Sequence, residues 1–334
     1  MRLLVTGGMG FIGSNFIRYI LKRHDDWEVV NVDKLGYGSN LANLKDLEGE
    51  QRYNFIRGDI NDYELMKGLV KKVDAIINFA AETHVDRSIS NPYAFIESNF
   101  LGVYTILEAV RRENRNVRLV HVSTDEVYGD IERGSFTEKD RLMPSSPYSA
   151  TKAAADMLVL GYSKTYNLDA VISRCTNNYG PYQFPEKLIP KTIIRAKLGL
   201  RVPIYGSGLN VRDWIHVEDH CRAIELILEG GERREIYNVS SGEERTNIEV
   251  VRTILKIMGR DEGLMEFVED RPGHDLRYSL DSWKIMRDLK WKPRYGFEEG
   301  IKRTVEWYLE NEWWWRPLAD EKVLHPTPWR LEWK

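Results

Sequence analysis

The chain has 334 residues, and 48 basic residues nearly balance 51 acidic ones, giving a formal net charge of −3. That length can bury a sizeable core, and the balanced charge gives no field of one sign to attract nucleic acid or a membrane surface. No apolar run approaches the roughly 20 residues that span a bilayer, and the first residues do not resemble a secretory signal. Cys175 and Cys221 lack metal-type spacing, so we expect reduced thiols and no metal. We expect a cytoplasmic protein that binds a small molecule.

Short apolar runs alternate with amphipathic segments up to about residue 175. The predicted strands are 3–5, 29–32, 53–56, 75–79, 118–122 and 169–172, and the predicted helices are 14–23, 63–72, 98–113 and 147–166. Ser146 and Pro147 mark the start of the last helix, because serine caps a helix and proline suits its first position. This alternation predicts an α/β fold with a doubly wound parallel sheet of the Rossmann type.

The pattern loosens after about residue 175, where loop residues such as Gly180 and Pro181 occur. Further strands are predicted at 213–217 and 235–239, with a helix at 219–229 between them. We predict a main domain over 1–175, to which about 212–240 returns. A smaller mixed α/β lobe for substrate binding is predicted over 176–211 and 241–334.

A glycine fingerprint follows the first predicted strand. Gly7, Gly10 and Gly13 are spaced Gly-x-x-Gly-x-x-Gly directly before the first predicted helix. Glycine lets the backbone approach a pyrophosphate, whose charge then faces the N–H groups of the helix start. Asp33 ends the second strand, where its carboxylate can accept hydrogen bonds from ribose hydroxyls and repel a 2′-phosphate. We predict a dinucleotide site that favours NAD over NADP, although Lys34 weakens that preference; a purely structural turn is the alternative.

Tyr148 and Lys152 lie one helical turn apart on the same predicted helix face. A nearby ammonium stabilises a phenolate, so we expect a lowered pKa that lets Tyr148 remove the proton of an alcohol. The spacing alone is weak support, because Tyr63 and Lys67 repeat it. The Tyr148 pair is preferred because it follows Thr124, at a strand end where ligands of parallel sheets bind.

Asp125 and Glu126 directly follow Thr124 and add an acid and a base that alcohol oxidation does not need. Oxidation of a sugar alcohol to a ketone acidifies the neighbouring C–H. One carboxylate can then remove that proton while a protonated carboxyl assists the departure of the next hydroxyl. The doublet therefore favours oxidation followed by elimination, and which carboxyl is protonated stays open. A solvated acidic loop is the alternative.

Motifs throughout the chain resemble the extended short-chain dehydrogenase/reductase family and, within it, the nucleotide-sugar 4,6-dehydratases. They are 6–14, 33–35, 80–89, 123–129, 147–152, 177–183, 186–190, 212–214 and 270–275. The Asp125-Glu126 doublet distinguishes these dehydratases from sugar epimerases of the same superfamily, which typically have other residues there. The resemblance implies that dTDP-glucose loses water to give a 4-keto-6-deoxy sugar.

The resemblance also implies a role for each catalytic candidate. Tyr148 is expected to take the 4-hydroxyl proton while hydride passes from C4 to NAD. Thr124 is expected to contact the developing carbonyl, and Lys152 to tune Tyr148. Glu126 is expected to remove the C5 proton and Asp125 to protonate the departing C6 hydroxyl, before hydride returns to C6.

Two sets of binding residues follow from the same resemblance. Those implied for NAD are Gly7, Gly10, Phe11, Ile12, Gly13, Asp33, Lys34, Leu35, Gly36, Asp59, Ile60, Phe79, Ala80, Ala81, Thr83, Ser98, Tyr148, Lys152 and Asn178. Those implied for the nucleotide sugar are Thr83, Thr124, Asn177, Lys187, Leu188, Pro203, Ile204, Tyr205, Arg212, Asn247, Arg271 and His274. Lys187, Arg212 and Arg271 suit a diphosphate, whose charge they would neutralise.

Other interpretations stay open. UDP-glucose is the nearest alternative substrate, because the residues distinguish thymine from uracil poorly. A sugar 4-epimerase or decarboxylase is less favoured because of Asp125 and Glu126. A non-catalytic NAD-binding sensor would have no need for the doublet together with Tyr148 and Lys152. The resemblance further implies a homodimer through helices 98–113 and 147–166, although burial of both helices against the sheet alone fits equally well.

Overall fold

The computed structural model describes residues 1–333, and these contain a central sheet of seven parallel strands. The strands along the chain are β1 (Arg2–Thr6), β2 (Glu28–Asp33), β3 (Tyr53–Arg57), β4 (Ala75–Asn78), β5 (Arg118–Thr124), β6 (Ala170–Cys175), β7 (Asn177–Tyr179), β8 (Val202–Tyr205), β9 (Val211–His216), β10 (Ile236–Val239), β11 (Glu244–Thr246) and β12 (Met265–Val268). The central sheet has the order β3-β2-β1-β4-β5-β6-β10. This confirms the doubly wound fold, with the strand order reversing between β1 and β4.

The helices along the chain are α1 (Phe11–Arg23), α2 (Tyr63–Val70), α3 (Val85–Ser90), α4 (Pro92–Phe95), α5 (Gly102–Glu113), α6 (Pro147–Tyr166), α7 (Leu188–Lys197), α8 (Val217–Gly230), α9 (Asn247–Ile257), α10 (Trp283–Leu289), α11 (Phe297–Glu310) and α12 (Glu312–Trp315). The earlier helices and α8 cover both faces of the central sheet, whereas α7, α9 and α11 pack against one another and the smaller sheets. Helix α1 packs against α8, whereas α5 packs against α2 and α6. The strands are continuous apolar runs because both of their faces are buried: Leu3 and Val5 belong to one core cluster and Leu4 to the other.

The second half of the chain contributes to three sheets. Strand β10 pairs in parallel with β6 at the edge of the central sheet. Strand β9 instead pairs with β7 and β11 in a three-stranded sheet, and β12 pairs with β8. The strands expected at 213–217 and 235–239 therefore both form, but only the second lies in the central sheet. The division into two lobes stays a prediction.

Two expectations from composition concern the whole chain. Cys175 and Cys221 are both buried free thiols, as expected. Within residues 1–333, each helix is too short or too polar to cross a membrane.

Candidate active site

Two clefts meet at the carboxyl ends of the central strands. The first cleft is lined by residues that end or follow β1 to β6, where parallel sheets bind ligands. The second cleft lies between α3, α7, β8 and the loop after β12. Residues that line both are Thr83, His84, Glu126, Asn177, Glu186 and Lys187. Glu126 therefore stands at the junction of the two clefts.

The glycine turn leaves room in the first cleft for a group that approaches the backbone. Gly7 has a φ of +70°, and a Cβ there would lie 2.6 Å from the backbone nitrogen of Ala80. A Cβ at Gly13 would lie 2.5 Å from the carbonyl oxygen of Gly7. Neither position accepts a side chain, so the N–H groups at the start of α1 stay accessible. This cradle fits the pyrophosphate of a dinucleotide.

Asp33 and Lys34 follow each other at the end of β2 and line the first cleft. The buried Asp33 carboxylate accepts hydrogen bonds from the Leu35 N–H at 2.8 Å and the Ser39 hydroxyl at 3.0 Å. Burial raises its pKa, which these hydrogen bonds oppose. Lys34 Nζ lies 3.4 Å from a carboxylate oxygen of Asp59. The Asp59 carboxylate thus partly compensates the charge that Lys34 brings to this end of the cleft.

The binding residues implied by the resemblance fall into the two clefts. All those implied for the cofactor line the first cleft except Leu35, whose side chain packs against the core. All those implied for the nucleotide sugar line the second cleft except Thr124, which lines the first. Lys187 spans the clefts and donates a hydrogen bond of 2.9 Å to the Thr83 carbonyl. The contacts of these residues with ligands stay predictions.

Thr124 orients the carboxyl doublet. It caps a short 3₁₀ helix, Asp125–Val127, and its Oγ1 accepts a hydrogen bond from the Glu126 N–H at 3.3 Å. The same hydroxyl donates to Asp125 Oδ1 at 3.1 Å. Within residues 1–333, the buried Asp125 Oδ2 has no hydrogen-bond partner. An unpaired carboxyl oxygen of this kind is poorly suited to carry charge.

The two carboxyls have different electrostatic environments. Burial and the neighbouring charge of Glu126 raise the pKa of Asp125 to about 8, so Asp125 is protonated at neutral pH. Burial also raises the pKa of Glu126, but Arg271, Arg212 and Lys187 oppose that rise by favouring its charged form. Burial therefore favours the protonated form of Asp125, whereas nearby cations favour the charged form of Glu126.

Tyr148 and Lys152 are buried on α6 beside the doublet. Lys152 Nζ donates a hydrogen bond of 2.7 Å to the Val122 carbonyl, and burial lowers its pKa to about 8. The expected lowering of the Tyr148 pKa is wrong. Burial and the charge of Glu126 raise the Tyr148 pKa well above its ordinary value, and the hydrogen bond with Thr124 opposes this only in part.

The second Tyr-x-x-x-Lys pair lies elsewhere. Tyr63 and Lys67 belong to α2 and are outside the residues that line the two clefts. Lys67 Nζ is 3.1 Å from a carboxylate oxygen of Glu64 on the same helix. Spacing alone therefore carries no information about catalysis here.

Sequence reasoning missed several polar residues of the second cleft. Asp86 accepts hydrogen bonds from Arg271 Nη1 at 2.8 Å and from the Tyr205 hydroxyl at 3.3 Å. His84 Nδ1 lies 3.1 Å from Glu186 Oε2, and both residues are buried. Asp86, His84 and Glu186 all stand inside the motifs that carry the resemblance, which was the available signal.

Comparison with known proteins extends over nearly the entire chain. A profile of the family described as GDP-mannose 4,6 dehydratase matches residues 4–304. The chain is 49% identical over 332 residues to the dTDP-glucose 4,6-dehydratase of Streptomyces niveus, covering 98% of both chains. It is 50% identical over 324 residues to that of Mycobacterium tuberculosis H37Rv, covering 96% of this chain and 97% of the relative.

A solved structure is similar in fold as well. It is the crystal structure of a dTDP-glucose 4,6-dehydratase from Streptomyces venezuelae with NAD and TYD bound. The TM-score is 0.93 at 49% identity, and the match covers 96% of this chain and 100% of the other. The similarity therefore includes the elements that form both clefts.

Proposed function

The chain belongs to the dTDP-glucose 4,6-dehydratases, within the family described as GDP-mannose 4,6 dehydratase, and we propose that it converts dTDP-glucose to dTDP-4-keto-6-deoxyglucose. One observation carries the proposal: a neutral carboxyl, Asp125, adjoins Glu126 at the junction of the two clefts. Elimination of water needs one protein group that removes a proton from one carbon and another that protonates the hydroxyl leaving the next carbon. Oxidation of an alcohol does not need this pair. The pair therefore favours a dehydratase over an epimerase.

The first cleft is proposed to hold NAD. The glycine cradle suits a pyrophosphate, the Asp33 carboxylate suits ribose hydroxyls, and a similar solved structure contains NAD. When bound, NAD supplies the acceptor for hydride from C4 of the sugar and the donor for its return to C6. The cofactor ends each cycle in its starting oxidation state, so turnover needs no second oxidant.

Tyr148 is proposed to take the proton of the C4 hydroxyl. Burial raises its pKa, so a phenolate that can take this proton needs cationic surroundings. Thr124 is also proposed to contact the developing carbonyl oxygen. Lys152 adds an ammonium whose pKa of about 8 keeps it largely charged at neutral pH.

Glu126 and Asp125 are proposed to carry out the elimination. Glu126 takes the C5 proton, which the C4 ketone has made acidic, and the C5–H electron pair forms the C5–C6 double bond. The C6–O bond breaks as Asp125 gives its proton to the departing hydroxyl, which leaves as water. The protonated state of Asp125 at neutral pH suits this role.

The second cleft is proposed to hold the nucleotide diphosphate. Lys187, Arg212 and Arg271 line it and would neutralise the diphosphate charge. Tyr205 and His274 also line this cleft, with ring centroids 6.4 Å apart. They are proposed to lie near the nucleobase of the substrate. Lys187, Tyr205, Arg271 and His274 support the proposed substrate lobe of 176–211 and 241–334. Arg212 stands at the start of the segment assigned to the NAD-binding domain, which the remaining residues would form.

The protein is also proposed to form a homodimer. Four apolar side chains on and beside α5 and α6 are exposed: Ile96, Leu101, Tyr104 and Met157. Exposed apolar residues clustered on packed neighbouring helices are typical of an interface. A cytoplasmic location is proposed because both cysteines are free thiols, which suits a reducing compartment.

A panel of nucleotide sugars tests the proposed function. The protein is incubated with NAD and, separately, with the glucose derivatives of dTDP, UDP, GDP and CDP, and products are identified by NMR. We expect a 4-keto-6-deoxy product with dTDP-glucose at the highest kcat/KM. Higher kcat/KM with UDP-glucose would reassign the substrate, and no such product with any donor would refute the dehydratase.

A further inference from the structure

Tyr205 is held from several sides at the edge of the second cleft. Its hydroxyl donates to Asp86 Oδ2 at 3.3 Å, and its ring lies edge-on to that of His274, with centroids 6.4 Å apart. The ring of Trp329 contacts Tyr205 edge-on, with centroids 4.7 Å apart and an interplanar angle of 77°. This close, nearly perpendicular arrangement is a favourable aromatic contact.

Trp329 belongs to a segment that we call the C-terminal strap, residues 320–333. The strap is anchored to α7: Arg195 Nη1 donates to the Leu324 carbonyl at 2.6 Å, and Lys191 Nζ donates to the His325 carbonyl at 3.2 Å. Trp329 is buried, and among residues 1–333 it is not one of those that line either cleft. Trp329 contacts Tyr205 directly, and the 3₁₀ turn that carries it, Pro328–Arg330, also packs against α3.

The strap also contacts the wall of the first cleft. Trp333 lies with its ring centroid 5.4 Å from that of Tyr37 and 5.3 Å from the Arg87 guanidinium carbon. Tyr37 and Arg87 line the first cleft, whereas Tyr205 lines the second. The Trp333 indole N–H also donates to the Pro328 carbonyl at 2.9 Å, so the two tryptophans of the strap support each other.

We propose that Trp329 is a positioning residue for the nucleoside diphosphate end of the substrate: it fixes the Tyr205 ring at the wall where the nucleotide binds. This inference rests on the proposed function. Loss of Trp329 removes an aromatic contact from Tyr205 and leaves the doublet at the cleft junction untouched. Substrate binding is then weakened, whereas the chemical steps proceed at their former rate.

Kinetics of Trp329→Ala and Trp329→Phe test this role. For Trp329→Ala we expect KM for dTDP-glucose to rise about tenfold and kcat to change less than twofold. The inhibition constant of dTDP, which lacks the sugar, rises by the same factor. Trp329→Phe keeps an aromatic ring and restores KM to within about threefold of the wild-type value.

Two further variants serve as controls. Trp313→Ala removes a tryptophan that is 54% exposed and leaves KM and kcat unchanged. Trp283→Ala removes a tryptophan that is 60% exposed and likewise leaves both constants unchanged. If Trp329→Ala does not fold, Trp329→Leu takes its place, since leucine keeps apolar volume without a ring.

The outcomes separate this inference from the proposed function. An inactive wild-type protein would overturn the proposed function. An active wild-type protein with an unchanged KM in Trp329→Ala or Trp329→Leu would overturn the inference alone. A fall in kcat at constant KM, or equal loss in Trp329→Phe and Trp329→Ala, would also contradict a positioning role.

Discussion

Asp125 and Glu126 are neighbours in sequence with separate surroundings. Asp125 is buried, and its Oδ2 is unpaired among residues 1–333, so its charged form is disfavoured. Glu126 is half-buried, and Arg271 and Arg212 favour its charged form. The surroundings of the two carboxyls, rather than their residue types, thus support the proposed roles of Asp125 as the acid and Glu126 as the base.

The variant Asp125→Asn tests the acid. Asparagine keeps the shape of the side chain but has no acidic proton to give to the leaving hydroxyl. We expect kcat for dehydration to fall about 10²- to 10⁴-fold, while oxidation at C4 still occurs. Rapid mixing with dTDP-glucose should then show reduced nicotinamide that persists. Asp140→Asn, at an exposed site, is the matched control. Normal dehydration by Asp125→Asn would refute the acid role.

The pH dependence of kcat follows from the same group. Asp125 is proposed to act in its protonated form, and burial raises its pKa to about 8, so kcat should decline as pH rises through about 8. Lys152 also has a pKa of about 8 and loses its charge over the same range. In Asp125→Asn, the remaining pH dependence of kcat should come from Lys152 alone. A wild-type kcat that stays constant well above this pH would contradict the assignment.

At the scale of single residues, the sequence identified the candidates but not the pKa shifts that their surroundings cause. The motif around Thr124 was enough to select the doublet. The Tyr148 pKa was predicted in the wrong direction, because the spacing to Lys152 reveals a nearby cation but not the burial and the Glu126 charge that oppose it. Asp86 was missed because its partners, Arg271 and Tyr205, are distant in sequence.

Helix α6 is the element that presents Tyr148 and Lys152 to the doublet. It begins at Pro147 and ends at Tyr166, as predicted from the sequence. Ser146 forms a capping box with Ser149: its hydroxyl accepts from the Ser149 N–H at 3.1 Å, and the Ser149 hydroxyl accepts from the Ser146 N–H at 3.0 Å. Signals this local can be seen in sequence because they involve residues three apart.

The cap gives a stability prediction for this element. Ser146→Ala removes the acceptor for the Ser149 N–H and should lower the free energy of unfolding by about 1 kcal/mol. Urea denaturation measures this difference through a lower midpoint at constant slope. Ser207→Ala, at an exposed serine in a turn, should leave the midpoint unchanged. Equal midpoints for Ser146→Ala and wild type would show that the cap contributes nothing.

Elements shaped by distant contacts were harder to predict. The helix expected over 98–113 is preceded by α4 and a π-helical turn, Ile96–Leu101, and α5 itself begins at Gly102. The turn carries Ser98 into the first cleft, and Gly102 lies beside Ile60 so closely that a Cβ would be 2.3 Å from its Cδ1. A π turn has no simple sequence signature and is frequent at functional sites.

At the scale of the whole molecule, the exposed apolar face of α5 and α6 predicts the oligomeric state. Wild-type protein should have twice the chain mass of 39.0 kDa in light scattering. The double variant Leu101→Glu with Met157→Glu places charges on this face and should be monomeric. Leu209→Glu, at an exposed leucine in the other half of the chain, should stay dimeric. A monomeric wild type would refute the proposed interface.

The meeting of the two clefts is a property of the whole molecule that sequence did not reveal. Glu126 follows β5, Lys187 precedes α7 and Arg271 follows β12, yet their charges interact at one place. The alternation of strands and helices predicted the parallel sheet, because its signal is local. It could not predict that β9 lies outside that sheet and pairs with β7 and β11, since tertiary packing determines which strands pair.

Reaction of the wild-type protein with dTDP-glucose in D₂O tests the central claim most directly. Removal of the C5 proton by Glu126 and later reprotonation from solvent should give a 4-keto-6-deoxy product with one solvent deuterium at C5. The hydrogen that starts at C4 should be found at C6, and Glu126→Gln should form no C5-deuterated product. A wild-type product that keeps its original hydrogen at C5, or a ketone that retains the C6 hydroxyl, would contradict the account.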